Sequence, residues 1–292
     1  MPQTVVVEQS LAAVIESALR AAIERAWRVH GGDVAITYGV DLTDGRRVFV
    51  KTHRAPPPGF FTTEAAGLSW LGEAGAVDVP AVLAVSDGPP AFLALSWIEP
   101  GQATPSTDAD FGARLAALHR AGAPCFGRED RRTTGSRALP NEPTATWREF
   151  YASCRLLPLA RLARDGGALA PETIADLVAV ADRLDALGGP DEPPARLHGD
   201  LWAGNRLVGA GGTSWLVDPA AHGGHREFDL AMMRLFGGFG PDCFDAYAEA
   251  YPLAAGWRDR VALHQIAPLV VHAIKFGGGY VAAAAEAISR YR

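Results

Sequence analysis

Short β-prone runs alternate with helical patterns along the first third of the chain. Apolar residues recur at helical spacing over residues 10–26, and β-branched and aromatic residues then concentrate in residues 30–42 and 48–53. The Asp44-Gly45 pair between the two later runs favours a tight β-hairpin. This part of the sequence therefore predicts one helix followed by an antiparallel strand pair.

A second helix is predicted over residues 64–75. Thr62 and Thr63 directly precede it and are residue types that cap helix N-termini. Together with the strand pair, this helix predicts a small β-rich lobe that extends over residues 1–98.

The pattern becomes mainly helical after the Glu-Pro-Gly stretch that begins at residue 99. Residues 171–188 carry apolar side chains at helical spacing, with proline at the start and glycine at the end. Residues 123–146 are polar and irregular, which predicts a long loop. The whole pattern predicts an α+β fold with two lobes, the second mainly helical and spanning residues 99–292.

Composition narrows the function classes. The net charge is −6 and the pI about 5.8, which disfavours a partner that is nucleic acid or an anionic membrane. The sequence shows neither an apolar run of membrane-spanning length nor a signal-peptide pattern, so we expect a cytoplasmic protein without a membrane partner. Cys125, Cys154 and Cys243 are widely spaced and odd in number, which favours reduced packing residues.

Two carboxylates and an amide are expected to converge near a second hairpin. Residues 206–208 and 215–217 are β-prone and flank a glycine-rich turn. The midpoint between Asn205 and Asp218 falls within that turn, so the two side chains are predicted to lie opposite each other. Asp200, on the segment leading in, can reach the same place. Such oxygen ligands suit Mg²⁺ that also binds a nucleotide's phosphates.

A lysine and a glutamate are predicted to pair within the first lobe. Glu64 shares one helix face with Leu68 and Leu71, so its carboxylate points toward an apolar interior. A carboxylate in that position needs a cationic partner, and Lys51, near the end of a predicted strand, is the nearest candidate. A lysine held by a glutamate can bind phosphates in phosphoryl transfer.

The order Lys51, Glu64, Asp200, Asn205 and Asp218 resembles the protein-kinase-like fold. HGD and DPA stand where protein kinases carry HRD and DFG, which is similar to the branch of aminoglycoside and choline kinases. LHGDLWAGN, VDPA, GHREFDLAMM, LFGGF and PLVVHAIKFGGGY resemble the fructosamine kinase, or ketosamine-3-kinase, family. The resemblance runs from about Ala26 to the C-terminal residue.

The resemblance implies roles for these residues with ATP and Mg²⁺ as cofactors. Asp200 would be the base or the orienting carboxylate for the acceptor hydroxyl, Asn205 and Asp218 the Mg²⁺ ligands, and Lys51 the phosphate contact held by Glu64. The first lobe would bind the nucleotide, and the second would hold the catalytic loop and the acceptor.

Further roles are implied around the nucleotide and the loop. Backbone groups of a hinge would contact adenine, and a glycine turn would cover the phosphates, although the residues alone equally allow a simple helix stop there. Asp229 is expected to brace the catalytic loop. The hinge residues are Ser96, Trp97 and Ile98, and the turn residues are Gly31 and Gly32.

The implied acceptor is a ketosamine, either of low molecular weight or linked to lysine, phosphorylated at its 3-hydroxyl. The product would decompose and free the amine, which is a deglycation activity. Trp202 and His222 are candidates for contacting the sugar, whereas His119 and His272 fit hydrogen-bonded core positions better. Sugar length and oligomeric state stay open.

Two alternatives remain at this point. One is another small-molecule kinase of the aminoglycoside or choline type. The other is a regulator that binds a nucleotide without catalysis, although the presence of all five kinase-like residues argues against it.

Overall fold

The N-terminal lobe is built on one five-stranded antiparallel sheet. The structure, a computed structural model, describes residues 3–29, 35–131, 133–134 and 138–292. The strand order is β1-β2-β3-β5-β4, and one helix precedes the sheet while another lies between its third and fourth strands. The elements of this lobe are α1 (Gln9–Leu19), β1 (Ile23–Arg28), β2 (Ile36–Leu42), β3 (Arg47–His53), α2 (Phe60–Glu73), β4 (Val82–Ser86) and β5 (Ala91–Ser96).

The predicted first helix is too long. It ends at Leu19, where Arg20 adopts a left-handed conformation with φ 55°, and the following residues form the edge strand β1. Residues 23–28 pair with β2 instead of continuing the helix, because this pairing packs the Trp27 ring over Gly39, which has no side chain. A Cβ at Gly39 would lie 2.3 Å from the Trp27 ring, so this packing requires glycine.

The Asp44-Gly45 hairpin prediction is confirmed, since β2 and β3 pair antiparallel around this turn. Gly45 has φ 84°, the left-handed conformation that such turns need. The strand itself begins later than predicted, at Ile36, and residues 30–34 lie outside the described part of the chain.

Helix α2 begins four residues before its predicted start. Gly59 occupies the N-cap position, so neither threonine caps the helix as predicted. The carboxylate of Asp87, on the loop between β4 and β5, instead accepts the N–H groups of Phe61 and Thr62. The helix N–H groups that the sequence predicted to bind a threonine hydroxyl are thus bound by Asp87, which is distant in the chain.

The C-terminal lobe is mainly helical. Two short hairpins and the strand pair β8–β11 accompany the helices. Its helices are α3 (Thr107–Ala121), α4 (Trp147–Tyr151), a π-helix (Ala152–Leu156), α5 (Leu157–Asp165), α6 (Pro171–Asp182), α7 (Leu184–Leu187), α8 (Glu227–Phe236), α9 (Pro241–Ala250), α10 (Trp257–Phe276) and α11 (Gly279–Ser289). Its strands are β6 (Thr133–Thr134), β7 (Leu139–Pro140), β8 (Ala195–Leu197), β9 (Arg206–Val208), β10 (Ser214–Leu216) and β11 (His222–Gly224), and 3₁₀ turns cover Ala203–Asn205 and Ala210–Gly212.

The predicted helix at 171–188 is present but interrupted at Arg183, between α6 and α7. The predicted loop at 123–146 carries only the short strands β6 and β7 among its described residues. Within the described ranges, no helix is both long enough and apolar enough to cross a membrane.

The connection between the lobes is short and closely packed. β5 is the last strand of the sheet in chain order. It ends at Ser96, two residues before the predicted lobe boundary at residue 98. The chain then runs along β9, where the Gly101 N–H donates to the Val208 carbonyl at 2.9 Å. A Cβ at Gly101 would overlap the Gly209 carbonyl, so only glycine permits this approach.

Candidate active site

Lys51 lies between two carboxylates. Its strand β3 faces helix α2, and its Nζ donates to Glu64 Oε1 at 2.7 Å and also to Asp218 Oδ1. The predicted Lys51–Glu64 ion pair is therefore present. Burial alone would lower the pKa of Lys51, but the charges of Glu64 and Asp218 outweigh it and raise that pKa. The lysine stays charged and is fixed in one position.

Asp229 braces the loop that follows β8, as predicted. Its carboxylate accepts the N–H groups of His198 and Gly199 at 2.8 and 2.9 Å. It also contacts His119 Nε2 at 3.2 Å, and His119 Nδ1 lies 2.8 Å from the Tyr247 hydroxyl. Burial would raise the pKa of Asp229, but the His119 hydrogen bond and nearby charges lower it, so it is a carboxylate. His119 is the hydrogen-bonded core histidine that the sequence predicts.

Asp200 and Asn205 contact each other across this loop. Asn205 Nδ2 donates to the Asp200 carbonyl at 2.8 Å and to its carboxylate at 3.2 Å. The Asn205 Oδ1 atom is thus directed away from Asp200. Burial raises the pKa of Asp200 to about 7, and the neighbouring Asp218 charge adds to this rise. Such a carboxyl group is suited to exchange a proton near neutral pH.

The predicted hairpin exists, but its register prediction is wrong by one residue. Arg206 pairs with Leu216, and the Val217 N–H donates to the Asn205 carbonyl at 3.0 Å. The turn is centred on Gly211, which has φ 71°, so Asn205 lies opposite Val217 rather than Asp218. Asp218 itself adopts φ 56° beyond the strand, and both predicted ligands still line one cavity.

Two adjoining cavities surround these residues. The Lys51 cavity, about 310 Å³, is lined by Lys51, Glu64, Asn205 and Asp218 among others. The aromatic cavity, about 360 Å³, lies within the C-terminal lobe. Its aromatic walls are Trp202, His222, Phe228, Phe236, His272, Phe276 and Tyr280. Five residues line both cavities, so the two spaces meet beside them: Thr134, Asp200, Trp202, Ala220 and Lys275.

His222 lines the aromatic cavity as a neutral ring. Its Nδ1 lies 2.8 Å from the Ala220 carbonyl and must donate there, which leaves Nε2 as an acceptor. Burial, together with the charge of Arg155, lowers the pKa of His222 to about 3, so the ring is neutral. Trp202 is 42% exposed at the junction and offers a ring face to either cavity.

His272 differs partly from its predicted core role. Its Nδ1 contacts the Pro268 carbonyl at 2.7 Å, as expected for a hydrogen-bonded core position. The ring nevertheless forms part of the aromatic cavity wall and packs against Phe236 and Tyr280.

The hinge residues lie apart from both cavities, since neither described lining includes Ser96, Trp97 or Ile98. The Ser96 N–H donates to the Ala81 carbonyl, and its hydroxyl accepts the Ala81 N–H. The Ser96 N–H and hydroxyl are therefore engaged within the N-terminal lobe. The adenine contact through the backbone of Ser96, Trp97 and Ile98 stays a prediction. Gly31 and Gly32 lie outside the described residues.

The GHRE residues form a buried support rather than a cavity wall. Arg226 holds the Glu192 carboxylate, and Arg260 holds the Glu227 carboxylate, each through two hydrogen bonds. His225, Glu227 and His264 bring potential ligand atoms within 4.8 Å of one another. The Arg260 guanidinium already occupies both Glu227 oxygens, so the charge of this group is balanced without a metal.

Sequence reasoning missed Arg155 and Lys275. Arg155 lines the aromatic cavity from the π-helix, and Lys275 lines both cavities from the last turn of α10. A compositional signal existed for Lys275, because Lys51 and Lys275 are the only lysines among 27 basic residues. Both line the Lys51 cavity.

Comparisons with known proteins agree with this geometry. The family model described as fructosamine kinase matches residues 7–292. A probable ketoamine kinase of Thermus thermophilus is 36% identical over 287 residues, covering 95% of this chain and 98% of its own length. A candidate fructosamine-3-kinase from Thermobifida fusca has a crystal structure with TM-score 0.90 and 40% identity, covering 98% of this chain and 99% of that one.

A more distant structure identifies the fold. Spectinomycin phosphotransferase has a TM-score of 0.59 at 16% identity, covering 98% of this chain and 94% of its own. The fold is therefore protein-kinase-like, with a small β-rich lobe and a larger helical lobe.

Proposed function

The chain belongs to the fructosamine kinase family and is a phosphotransferase, and from this premise we propose that it transfers the γ-phosphoryl group of ATP to the 3-hydroxyl of a ketosamine. The observation that carries the proposal is the position of Asp200 where the Lys51 cavity meets the aromatic cavity. A nucleotide in the first and an acceptor in the second would bring phosphate and hydroxyl together beside one carboxylate.

The Lys51 cavity fits a nucleotide's phosphates and their metal. Lys51 would contact the phosphates while Glu64 keeps it in place. The Asp218 carboxylate and Asn205 Oδ1 are hard oxygen donors of the kind Mg²⁺ takes alongside phosphate oxygens. These two residues would hold Mg²⁺, which when bound neutralises phosphate charge.

Asp200 would act on the acceptor. Its carboxylate would accept the proton of the 3-hydroxyl as that oxygen attacks the γ-phosphorus, and Asn205 keeps the carboxylate oriented. His222 Nε2 would accept a hydrogen bond from another hydroxyl of the sugar, and the Trp202 ring would pack against it.

Charge favours a ketosamine over an aminoglycoside. Among the described residues, the aromatic cavity is lined by two basic side chains, Arg155 and Lys275, and by one carboxyl group, Asp200. A polycationic aminoglycoside would meet more repulsion there than a sugar with a single amine. In the product, loss of a C1 proton and elimination of the phosphate from C3, next to the ketose carbonyl, would leave an imine. Water would hydrolyse its C=N bond to the free amine and a dicarbonyl sugar, which makes deglycation the proposed role.

The test incubates the protein with Mg²⁺-ATP and four acceptors in parallel, and follows phosphate transfer by mass. The acceptors are ribulose-lysine, fructose-lysine, kanamycin and choline, with the Asp200→Asn variant as control. Phosphorylation of a ketosamine alone is expected. Transfer to kanamycin or choline with both ketosamines untouched would contradict the acceptor, and nucleotide binding without any transfer would favour a regulator.

A further inference from the structure

Arg155 is the exception among the buried arginines. The described part of the chain contains four of them, Arg128, Arg155, Arg226 and Arg260. Three of the four hold a carboxylate through Nε and Nη2, the side-on edge of the guanidinium, at 2.5–2.9 Å. This edge matches the two oxygens of a carboxylate.

Among the described residues, the hydrogen-bond partners of Arg155 are all neutral. Nη1 donates to the carbonyls of Pro140 and Cys154 at 2.6 and 2.9 Å, and Nη2 donates to Asn141 Oδ1 at 3.0 Å. The guanidinium also lies 4.5 Å from the centre of the Phe150 ring. Of its five N–H groups, one on Nε and one on Nη2 have no partner among the described residues. Nε and Nη2 are the two nitrogens that hold carboxylates in the other three buried arginines.

Arg155 also occupies an unusual place in the backbone. The π-helix Ala152–Leu156 lies directly between α4 and α5, and Arg155 lines the aromatic cavity from it while being only 3% exposed. Single π-helical turns are costly and are often found at functional sites. Burial lowers the pKa of Arg155 to about 10, which reflects a cation without a nearby anion.

We propose that Arg155 is a specificity-determining residue that binds a carboxylate of the acceptor. The inference rests on the proposed function and narrows it: the preferred acceptor is a ketosamine of a free amino acid, whose carboxylate lies close to the glycated amine. Lys275, the second cation of the same cavity, adds to the attraction for such an anion. A ketosamine on a protein lysine side chain lacks that nearby carboxylate.

The experiment compares two acceptors that differ only in this group. Ribulose-glycine carries the carboxylate, and ribulose-glycinamide replaces it with a neutral amide. For the wild type we expect kcat/KM to be roughly 10- to 100-fold higher for ribulose-glycine, since hydrogen bonds to charged groups are the stronger ones. Arg155→Met should reduce this ratio to about 2 or less, mainly through KM, and Arg155→Lys should retain part of it because the charge remains.

Arg128→Met is the matched control. Arg128 is also buried, but its partner is Asp130, and it is absent from the described linings of both cavities. The Arg128→Met variant should leave the ratio of kcat/KM for the two acceptors unchanged, even if it lowers the stability of the protein. A purely structural role of Arg155 would lower both rates and leave their ratio intact.

Two results would overturn the inference. Equal kcat/KM for the two acceptors in the wild type would do so while leaving the ketosamine kinase activity established. An undiminished ratio in Arg155→Met would do so as well. A wild type that phosphorylates neither acceptor nor any other ketosamine would overturn the proposed function together with this inference.

Discussion

Asp229 accepts the backbone N–H of His198 at 2.8 Å, so a helix side chain fixes the segment that leads into Asp200. The same carboxylate accepts the Gly199 N–H and contacts His119 from helix α3. One fully buried anion thus joins α8, α3 and the loop after β8. The position of Asp200 is therefore set by the core of the C-terminal lobe rather than by the loop itself.

Replacing this anion should cost both stability and turnover. In Asp229→Asn the amide would direct N–H groups at backbone donors, leaving buried groups unsatisfied. We expect the free energy of unfolding to fall by about 1–3 kcal/mol and phosphate transfer to fall with it. Urea denaturation measures the first and an ATP-consumption assay the second.

Asp41→Asn is the control for this change, because it removes a carboxylate from an exposed pair with Arg47. That variant should lose less than about 1 kcal/mol. An Asp229→Asn protein as stable and active as the wild type would refute the bracing role.

Asp200→Asn should abolish turnover without unfolding the protein. The amide keeps the size of the side chain but cannot accept the hydroxyl proton, which is worth roughly 10²–10⁴-fold in rate. Nucleotide affinity should change little, since Lys51 and Glu64 are untouched. Steady-state kinetics and ATP titration separate the two effects, and near-normal turnover would remove Asp200 from the chemistry.

Asp218→Asn should weaken Mg²⁺-ATP much more than ATP alone. The change removes the charged oxygen that we propose as a Mg²⁺ ligand and also one of the two carboxylates on Lys51. Titrations of the variant with and without Mg²⁺ measure the difference. If the wild type itself binds both forms equally, Asp218 is not a metal ligand.

Periodicity alone could predict the Lys51–Glu64 pair, because the spacing of Glu64 from Leu68 and Leu71 directs it into the lobe. The hairpin of β9 and β10 was predictable from composition, but its register was not. That register depends on the left-handed conformation of Gly211, and several glycines in the turn can adopt it.

The environment of Arg155 could not be predicted from the sequence. Nothing in the spacing of residues 147–165 marks the π-helical turn at Ala152–Leu156. The neutral partners of Arg155 come from residues more than ten positions away or from its own turn. An uncompensated buried charge is a property of tertiary packing, so it appears only in the folded chain.

Buried histidines should make the protein sensitive to mild acid. Burial, with the charge of His264, lowers the pKa of His225 to about 4, although the charges of Glu227 and Glu192 act against this. Burial likewise lowers the pKa of His222 to about 3. Unfolded histidine titrates near pH 6.5, so between pH 6.5 and about 4 the unfolded chain binds protons that the native state does not. The free energy of unfolding should therefore fall as the pH drops through this window, by up to about 1.4 kcal/mol per pH unit for each histidine.

His225→Phe tests this dependence on pH, because it keeps an aromatic ring beside Trp147 and His264. Urea unfolding at several pH values between 7.5 and 4.5 should show a slope shallower by about one proton than that of the wild type. Below pH 4.5 the slope should steepen again in both proteins, because Glu227 must be protonated on unfolding. The hydrogen bonds from Arg260 and the His264 ring 3.4 Å away lower the pKa of Glu227 to about 2 despite its burial. An identical slope in wild type and variant above pH 4.5 would show that His225 is charged in the native protein, and would remove it from the groups that set acid stability.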